Sequence, residues 1–294
     1  MKPLVYAFPD SETFARRLVE ALAASYATLS WRRFPDRESL VTLQGECRGR
    51  TVIIVCTLSE ADTKTLPLYF AAATARELGA TQVGLVAPYL AYMRQDHRFG
   101  DGQARSAHHY AKLLSSAFDW LVTVDPHLHR IAALDEIYSI PTHTVSAMPA
   151  VAEWIRTHIA DPIVIGPDSE SSQWVEPVAR SLGTPSIVLE KVRRGDRDVS
   201  VSALDVTRVR GRNPVVVDDI ASSGRTFIEV VKQLSAAGIH DVTCIAVHAL
   251  FADDAMEQLR GAGARRIVST NTVPHETNEI DVLSLVAEAV GSRL

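Results

Sequence analysis

Short, continuous apolar runs alternate along this chain with longer stretches in which apolar residues recur every three or four positions. The runs predict strands at residues 4–8, 51–56, 82–87, 120–124, 163–166, 186–189, 214–217 and 242–247. The helical periodicity predicts helices at 11–24, 65–78, 106–116, 149–158, 172–182, 224–237 and 283–290, and the whole tail 278–294 reads as helical. The strands lack in–out alternation, which is the pattern of strands covered on both faces. Strand–helix–strand order then predicts an α/β chain with mainly parallel sheets. Residues 28–34 and 39–43 depart from that order: they flank Pro35, Asp36, Arg37 and Glu38 and read as two strands around a short loop.

Two of these units look alike. The run 51–56 passes through a polar loop into a helix ending near Gly79, and the strand 82–87 follows. The run 214–217 passes through Asp218, Asp219 and a polar loop into a helix ending near Gly238, and the strand 242–247 follows. Similar units in both halves predict a duplicated α/β domain. A boundary near 140–148, where Pro141 and Pro149 bracket a short strand, gives domains at 1–143 and 144–294, with 278–294 free to pack back on the first.

Composition narrows the picture. The chain has 294 residues, 47% hydrophobic and 22% charged, ample for a core without disulfide or metal staples. Thirty basic and thirty-five acidic residues give a net charge of −5, which argues against a sequence-independent nucleic-acid binder. The three cysteines, Cys47, Cys56 and Cys244, form no C-x-x-C pair, so a reducing compartment is expected. No apolar run reaches the roughly 18–20 residues of a membrane span, and Pro9, Asp10 and Glu12 interrupt the N-terminus too early for a signal peptide. A soluble cytoplasmic protein is the expectation.

Candidate chemistry gathers at the ends of the apolar runs. Val215, Val216 and Val217 lead into Asp218 and Asp219, and Ser222, Ser223, Gly224, Arg225 and Thr226 then open a helix. Unpaired N–H groups at a helix start carry the positive end of its dipole and suit a phosphate. The three hydroxyls add donors, while the two carboxylates can accept from sugar hydroxyls directly or through a hydrated Mg2+. Arg94 and Arg98 flank Gln95 and Asp96 and carry the planar donors that match phosphate oxygens. Asp125, His127 and His129 follow the run 120–124; the two imidazoles would share a face on a continuing strand, but a zinc site lacks a third ligand at suitable spacing. Phe34, Asp36 and Glu38 combine an aromatic ring with two carboxylates. Lys191 and Arg193 open a cationic segment in a chain where only five of the thirty basic residues are lysine. Asp168 precedes Ser169, Ser171 and Ser172, with Glu170 among them, and an acidic side chain facing a diphosphate repels it.

In order and content these segments resemble the ribose-phosphate pyrophosphokinases. The 218–226 string resembles the phosphoribosyl-diphosphate (PRPP) motif that those enzymes share with type I phosphoribosyltransferases. The resemblance spans Phe34 to Thr226 and implies two duplicated type I phosphoribosyltransferase-like domains, each a mainly parallel central sheet flanked by helices. It implies transfer of the β,γ-diphosphoryl group of Mg–ATP to the C1 hydroxyl of ribose 5-phosphate, giving PRPP and AMP. By this resemblance Phe34, Asp36 and Glu38 hold adenine, reaching a neighbouring subunit's site, which implies a homo-oligomer, dimer to hexamer. Arg94, Gln95, Asp96 and His127 contact ATP. His127, Asp125 and Asp168 are the Mg2+ residues, and Lys191 and Arg193 are the catalytic pair that closes over the transferred group. Asp218, Asp219, Ser222, Ser223, Gly224, Arg225 and Thr226 bind the ribose phosphate. No nucleic-acid or membrane partner is implied.

Three positions depart from the family pattern: Pro126 replaces a leucine, Arg225 a second glycine, and Glu170 stands in the pyrophosphate loop. They leave two rivals open, a non-catalytic PRPP- or nucleotide-binding regulatory paralogue and a type I phosphoribosyltransferase. No G-x-x-x-x-G-K-[ST] string is present, so ATP would be held by the distributed segments above.

Overall fold

The computed structural model describes residues 1–193, 199–201 and 204–294, with the backbone alone for 191–193 and 199–201. The chain divides into two compact units, Met1–Ser146 together with Leu283–Leu294, and Ala147–Val282.

The first unit holds β1 (Leu4–Ala7), α1 (Glu12–Ala21), β2 (Ser25–Tyr26), β3 (Leu29–Arg33), β4 (Ser39–Leu43), β5 (Thr51–Val55), α2 (Ala61–Glu77), β6 (Gln82–Ala87), α3 (Ser106–Ala117), β7 (Trp120–Val124) and β8 (Thr142–Val145). Six of these strands form one parallel sheet in the order β2-β1-β5-β6-β7-β8. β3 and β4 pair antiparallel as a separate hairpin. Val52, Ile54, Val83, Leu85 and Leu121 are fully buried because helices cover the sheet on both faces.

The second unit holds α4 (Met148–His158), β9 (Pro162–Gly166), α5 (Ser172–Leu182), β10 (Ser186–Val188), β11 (Lys191–Arg193), β12 (Val199–Val201), β13 (Asn213–Ala221), α6 (Arg225–Ala236), β14 (Val242–Ala249), α7 (Ala255–Ala262), β15 (Ala264–Thr270) and β16 (Asn278–Ile280). Its parallel sheet runs β10-β9-β13-β14-β15-β16, and β11 pairs antiparallel with β12. The last helix, α8 (Leu283–Gly291), packs on α1 of the first unit, and Arg293 Nη2 donates to Thr142 O at 3.1 Å.

Both sheets are wound alike. The second strand lies outside the first, and the third strand lies on the first strand's other side. The duplicated α/β architecture expected from the sequence is therefore what forms. Each unit has one point where successive connections leave in opposite directions, between β1 and β5 and between β9 and β13. Such a point opens a crevice at the strand carboxyl ends.

Four differences from the sequence expectation have plain causes. β13 continues past Val217 to Ala221, because pairing with β14 extends the ladder through Asp218 and Ile220. The tail is not one helix: Asn278–Ile280 adds an edge strand before α8. β15 escapes a periodicity search because Arg265 and Arg266 break its apolar run near the start. β2 and α7 are too short, at 2 and 8 residues, to produce a period.

Gly84 on β6 is a packing requirement. A Cβ there would stand 2.0 Å from the Trp120 ring on the neighbouring β7. Gly84→Ala is expected to destabilise by about 1–3 kcal/mol, as overpacking does, read as a lowered urea midpoint with an unchanged slope.

Candidate functional site

In the second unit, two loops stand side by side at the β9–β13 crevice. The loop after β9 forms a 3-10 turn at Ser169–Ser171 that runs into α5. Asp168 is buried and caps this turn: its Oδ1 accepts from the N–H groups of Glu170 at 3.0 Å and Ser171 at 3.2 Å. Ser171 is fully buried, and its hydroxyl donates to the Asp168 carbonyl. Of the small donors expected here, Ser171 is thus turned inward, whereas Ser169 is exposed and Ser172 half-buried.

The loop after β13 carries the strongest sequence signal. Asp218 and Asp219 are both buried and lie within the strand, so their side chains leave it on opposite faces. Asp218 Oδ1 accepts from the Asp219 N–H at 3.1 Å, and its Oδ2 accepts from Thr226 Oγ1 at 3.4 Å. Ser222 and Ser223 turn the chain, and Gly224 then sits at φ 66° as the residue before α6. That left-handed conformation costs other residues about 1–2 kcal/mol. Arg225, the departure from the family pattern, is the first helical residue and is exposed. The backbone freedom this turn needs lies at Gly224, which the sequence retains. No side chain caps α6, so its first-turn N–H groups meet the crevice with the positive end of the helix dipole.

In the first unit the expected nucleotide segments follow β6 and β7, which are adjacent in the sheet. Tyr92 adopts φ 63°, its hydroxyl donates to Asp62 on α2, and its ring lies 4.6 Å from that of Tyr110. The bond to Asp62, with burial second, pushes the Tyr92 hydroxyl up to about 12. Gln95 accepts from Ser106 Oγ at 2.6 Å and its N–H donates to Tyr92 O at 2.8 Å. Arg94 is exposed, and Arg98 donates to Gln103 O at 3.0 Å.

Asp96 differs from its neighbours. Its side chain is only 3% exposed, and it pairs with Arg130 Nη1 at 3.1 Å and His97 Nδ1 at 2.8 Å. Burial alone would raise its carboxyl, but the contacts from His97 and Arg130 outweigh that and hold it below the ordinary carboxylate value.

After β7 the chain leaves the sheet. Asp125 and His127 both have positive φ, 32° and 31°, and the His127 N–H donates to Asp125 O at 2.9 Å, closing a tight turn around Pro126. His127 and His129 are therefore not on a strand and do not share its face. Backbone strain of this kind costs about 1–3 kcal/mol per residue and concentrates at functional loops. Asp125 is buried and His127 half-buried.

The hairpin tip keeps its bonds to itself: Phe34 N–H to Glu38 O at 2.8 Å, Arg37 N–H to Phe34 O at 2.8 Å, and Glu38 N–H to Asp36 Oδ1 at 3.1 Å. Phe34 is 38% exposed, with the Arg32 guanidinium 4.7 Å from its ring centre. Lys191 and Arg193 lie on β11; their side chains, and residues 194–198, fall outside the described part of the structure.

The first unit's own crevice, between β1 and β5, is filled. Lys64 from α2 is buried there and donates to the Asp10 carboxylate, to Thr57 O at 2.9 Å and to Ser59 Oγ at 3.2 Å. Ser11 Oγ accepts from the Thr57 N–H at 2.8 Å. Sequence reasoning missed Lys64, Asp62 and Arg130, because each acquires its meaning from a partner 54, 30 or 34 residues away. The scarcity of lysine was a usable signal for Lys64.

Comparison with known proteins agrees with this geometry. The family profile for the N-terminal domain of ribose phosphate pyrophosphokinase matches residues 4–117, and that for the phosphoribosyl transferase domain matches 134–283. The ribose-phosphate pyrophosphokinase of Methanothermobacter thermautotrophicus is 32% identical over 281 residues, covering 95% of this chain and 97% of that protein. That of Methanopyrus kandleri is 32% identical over 289 residues, covering 98% of both. The crystal structure of phosphoribosylpyrophosphate synthetase from Mycobacterium smegmatis shares the fold, with a TM-score of 0.87 at 23% identity over 100% of this chain and 99% of that one.

Asp96 supplies a pH test. A carboxylate whose folded value is depressed stabilises the protein above its unfolded value, about 3.9, and that contribution disappears as pH falls through the folded value. Wild type is expected to exceed Asp96→Asn in urea midpoint at pH 7, and the two curves should converge in acid.

Proposed function

Because the chain belongs to the ribose-phosphate pyrophosphokinase family, we propose that it makes PRPP and AMP by transferring the β,γ-diphosphoryl group of ATP to ribose 5-phosphate. The observation that carries this reading is the uncapped start of α6, reached through Ser222, Ser223 and Gly224 after a strand that carries two buried carboxylates, at the β9–β13 crevice. A helix start of this kind suits the 5-phosphate. Ser222, Ser223, Arg225 and Thr226 supply further donors, and Asp218 and Asp219 accept from the ribose hydroxyls.

In the reaction the C1 oxygen attacks the β-phosphorus and loses its proton. The bond from that phosphorus to the α–β bridging oxygen breaks, and AMP leaves with the electron pair. The protein's task is positioning and charge neutralisation. Arg94 and Gln95 hold the nucleotide, with Phe34, Asp36 and Glu38 on adenine. Lys191 and Arg193 stabilise the transferring group.

Mg2+ fits this donor set. The ion keeps several waters and is usually held by one or two carboxylates plus substrate phosphates, not by an all-protein cage. Among the described residues no group of three or more His, Cys, Asp or Glu side chains is gathered that could form such a cage. Asp125 and His127 in the first unit and, separately, Asp168 in the second are the residues proposed for Mg2+, which would neutralise charge on the diphosphoryl group when bound. An outward-facing Phe34 hairpin supports a homo-oligomer, with that tip serving a second copy of the chain. No described helix is long and apolar enough to cross a membrane, in keeping with a cytoplasmic enzyme.

Phosphorus NMR of protein, ATP, Mg2+ and ribose 5-phosphate is expected to show PRPP and AMP appearing together. No AMP under varied metal and phosphate conditions rejects the reading. Lys191→Ala is expected to cut turnover by roughly 10²–10³-fold with KM for both substrates nearly unchanged; a fully active variant removes Lys191 from the mechanism.

A further inference from the structure

The β6 and β7 loops of the first unit are joined by an ion pair between a buried carboxylate and a partly exposed guanidinium. Asp96 comes from the β6 loop and Arg130 from the segment just beyond the Asp125–Pro126–His127 turn. Both carboxylate oxygens of Asp96 accept from Arg130 Nη1, at 3.1 and 3.3 Å. The Asp96 side chain is 3% exposed, whereas the Arg130 side chain is 46% exposed. Among the described residues, Arg130 Nη2 and Nε make no hydrogen bond. One nitrogen of a planar cation is therefore anchored by a buried anion, and its remaining donors stay available. His97 also bonds Asp96, at 2.8 Å, and its ring lies 3.9 Å from that of Phe99, tilted by 52°; His108 of α3 is close enough to feel the Asp96 charge. A carboxylate whose oxygens are already bonded by Arg130 and His97 has little left to offer a ligand, and facing the phosphates of ATP it would repel them.

We propose that Arg130 is a further phosphate-binding residue for the nucleotide and that Asp96 is a positioning residue that aims it. The inference rests on the reading of the β6 and β7 loops as the ATP segments, and it takes Asp96 out of direct contact with ATP. Arg130 is recruited because its guanidinium is tethered through Nη1 before ATP arrives, so less rotamer freedom is lost on binding.

Steady-state kinetics on Arg130→Met, Asp96→Asn and the double variant test this, with thermal melts of each and Arg94→Ala as a reference. Loss of one charge-assisted hydrogen bond corresponds to roughly 10–100-fold. Arg130→Met is expected to raise KM for ATP by about that factor and leave KM for ribose 5-phosphate unchanged. Asp96→Asn should do the same more weakly, and the double variant should match Arg130→Met alone. Arg130→Lys should recover only part of the loss, since lysine lacks the planar fork. Additive effects in the double variant, equal changes in both KM values, or kinetic changes that track the loss in melting temperature overturn the inference. If Arg94→Ala raises KM for ATP while Arg130→Met does not, the inference fails and the nucleotide-loop reading stands. If neither variant changes it, both fail.

Discussion

Burial of the parallel strands on both faces is the constraint on which the rest of this structure depends. A sheet covered by helices cannot offer its faces to a ligand, because Val52, Ile54, Val215 and Val217 are all enclosed. Only the strand ends and the loops beyond them remain. Every segment with candidate chemistry, apart from the Phe34 hairpin and the β11 strand, follows the carboxyl end of a sheet strand: Asp96 after β6, His127 after β7, Asp168 after β9 and Ser222 after β13. The same geometry explains why so many polar side chains there are buried yet bonded, since loops packed at a sheet end must satisfy their groups internally.

Duplication then allowed divergence. The two sheets share one winding order, so each has a crevice at the same topological place. In the second unit that crevice is bordered by the capped turn at Ser169–Ser171 and the uncapped start of α6. In the first it is occupied by Lys64, whose ammonium bonds Asp10, Thr57 and Ser59. An ammonium placed against a carboxylate satisfies both without a ligand, and removing Asp10 would leave the buried Lys64 ammonium without its anionic partner. Candidate chemistry in the first unit accordingly lies two and three strands along, at β6 and β7.

Three of the candidate site residues read differently once folded. Arg225 looked like lost backbone freedom, yet it is helical and the positive φ falls on Gly224. Ser171 looked like a donor for a diphosphate, yet its hydroxyl is used by Asp168. Asp96 looked like a ligand contact, yet its carboxylate is buried and tied to Arg130, 34 residues away. In each case the sequence shows which functional groups are present, but not which of them are already satisfied.

The sequence by itself determined the fold class, the duplication and the order of the candidate phosphate-binding segments. These follow from periodicity, from apolar runs ending in polar loops, and from local turn chemistry, all of which act within a few residues. It did not determine where β13 ends, that Asn278–Ile280 is a strand, or which carboxylates face inward. Strand pairing decided the first two, because a ladder hydrogen bond forms only when the neighbouring strand is present. Side-chain satisfaction decided the third. Whether Asp96 is enclosed and Asp10 is paired depends on partners 34 and 54 residues away, and no local pattern encodes that distance.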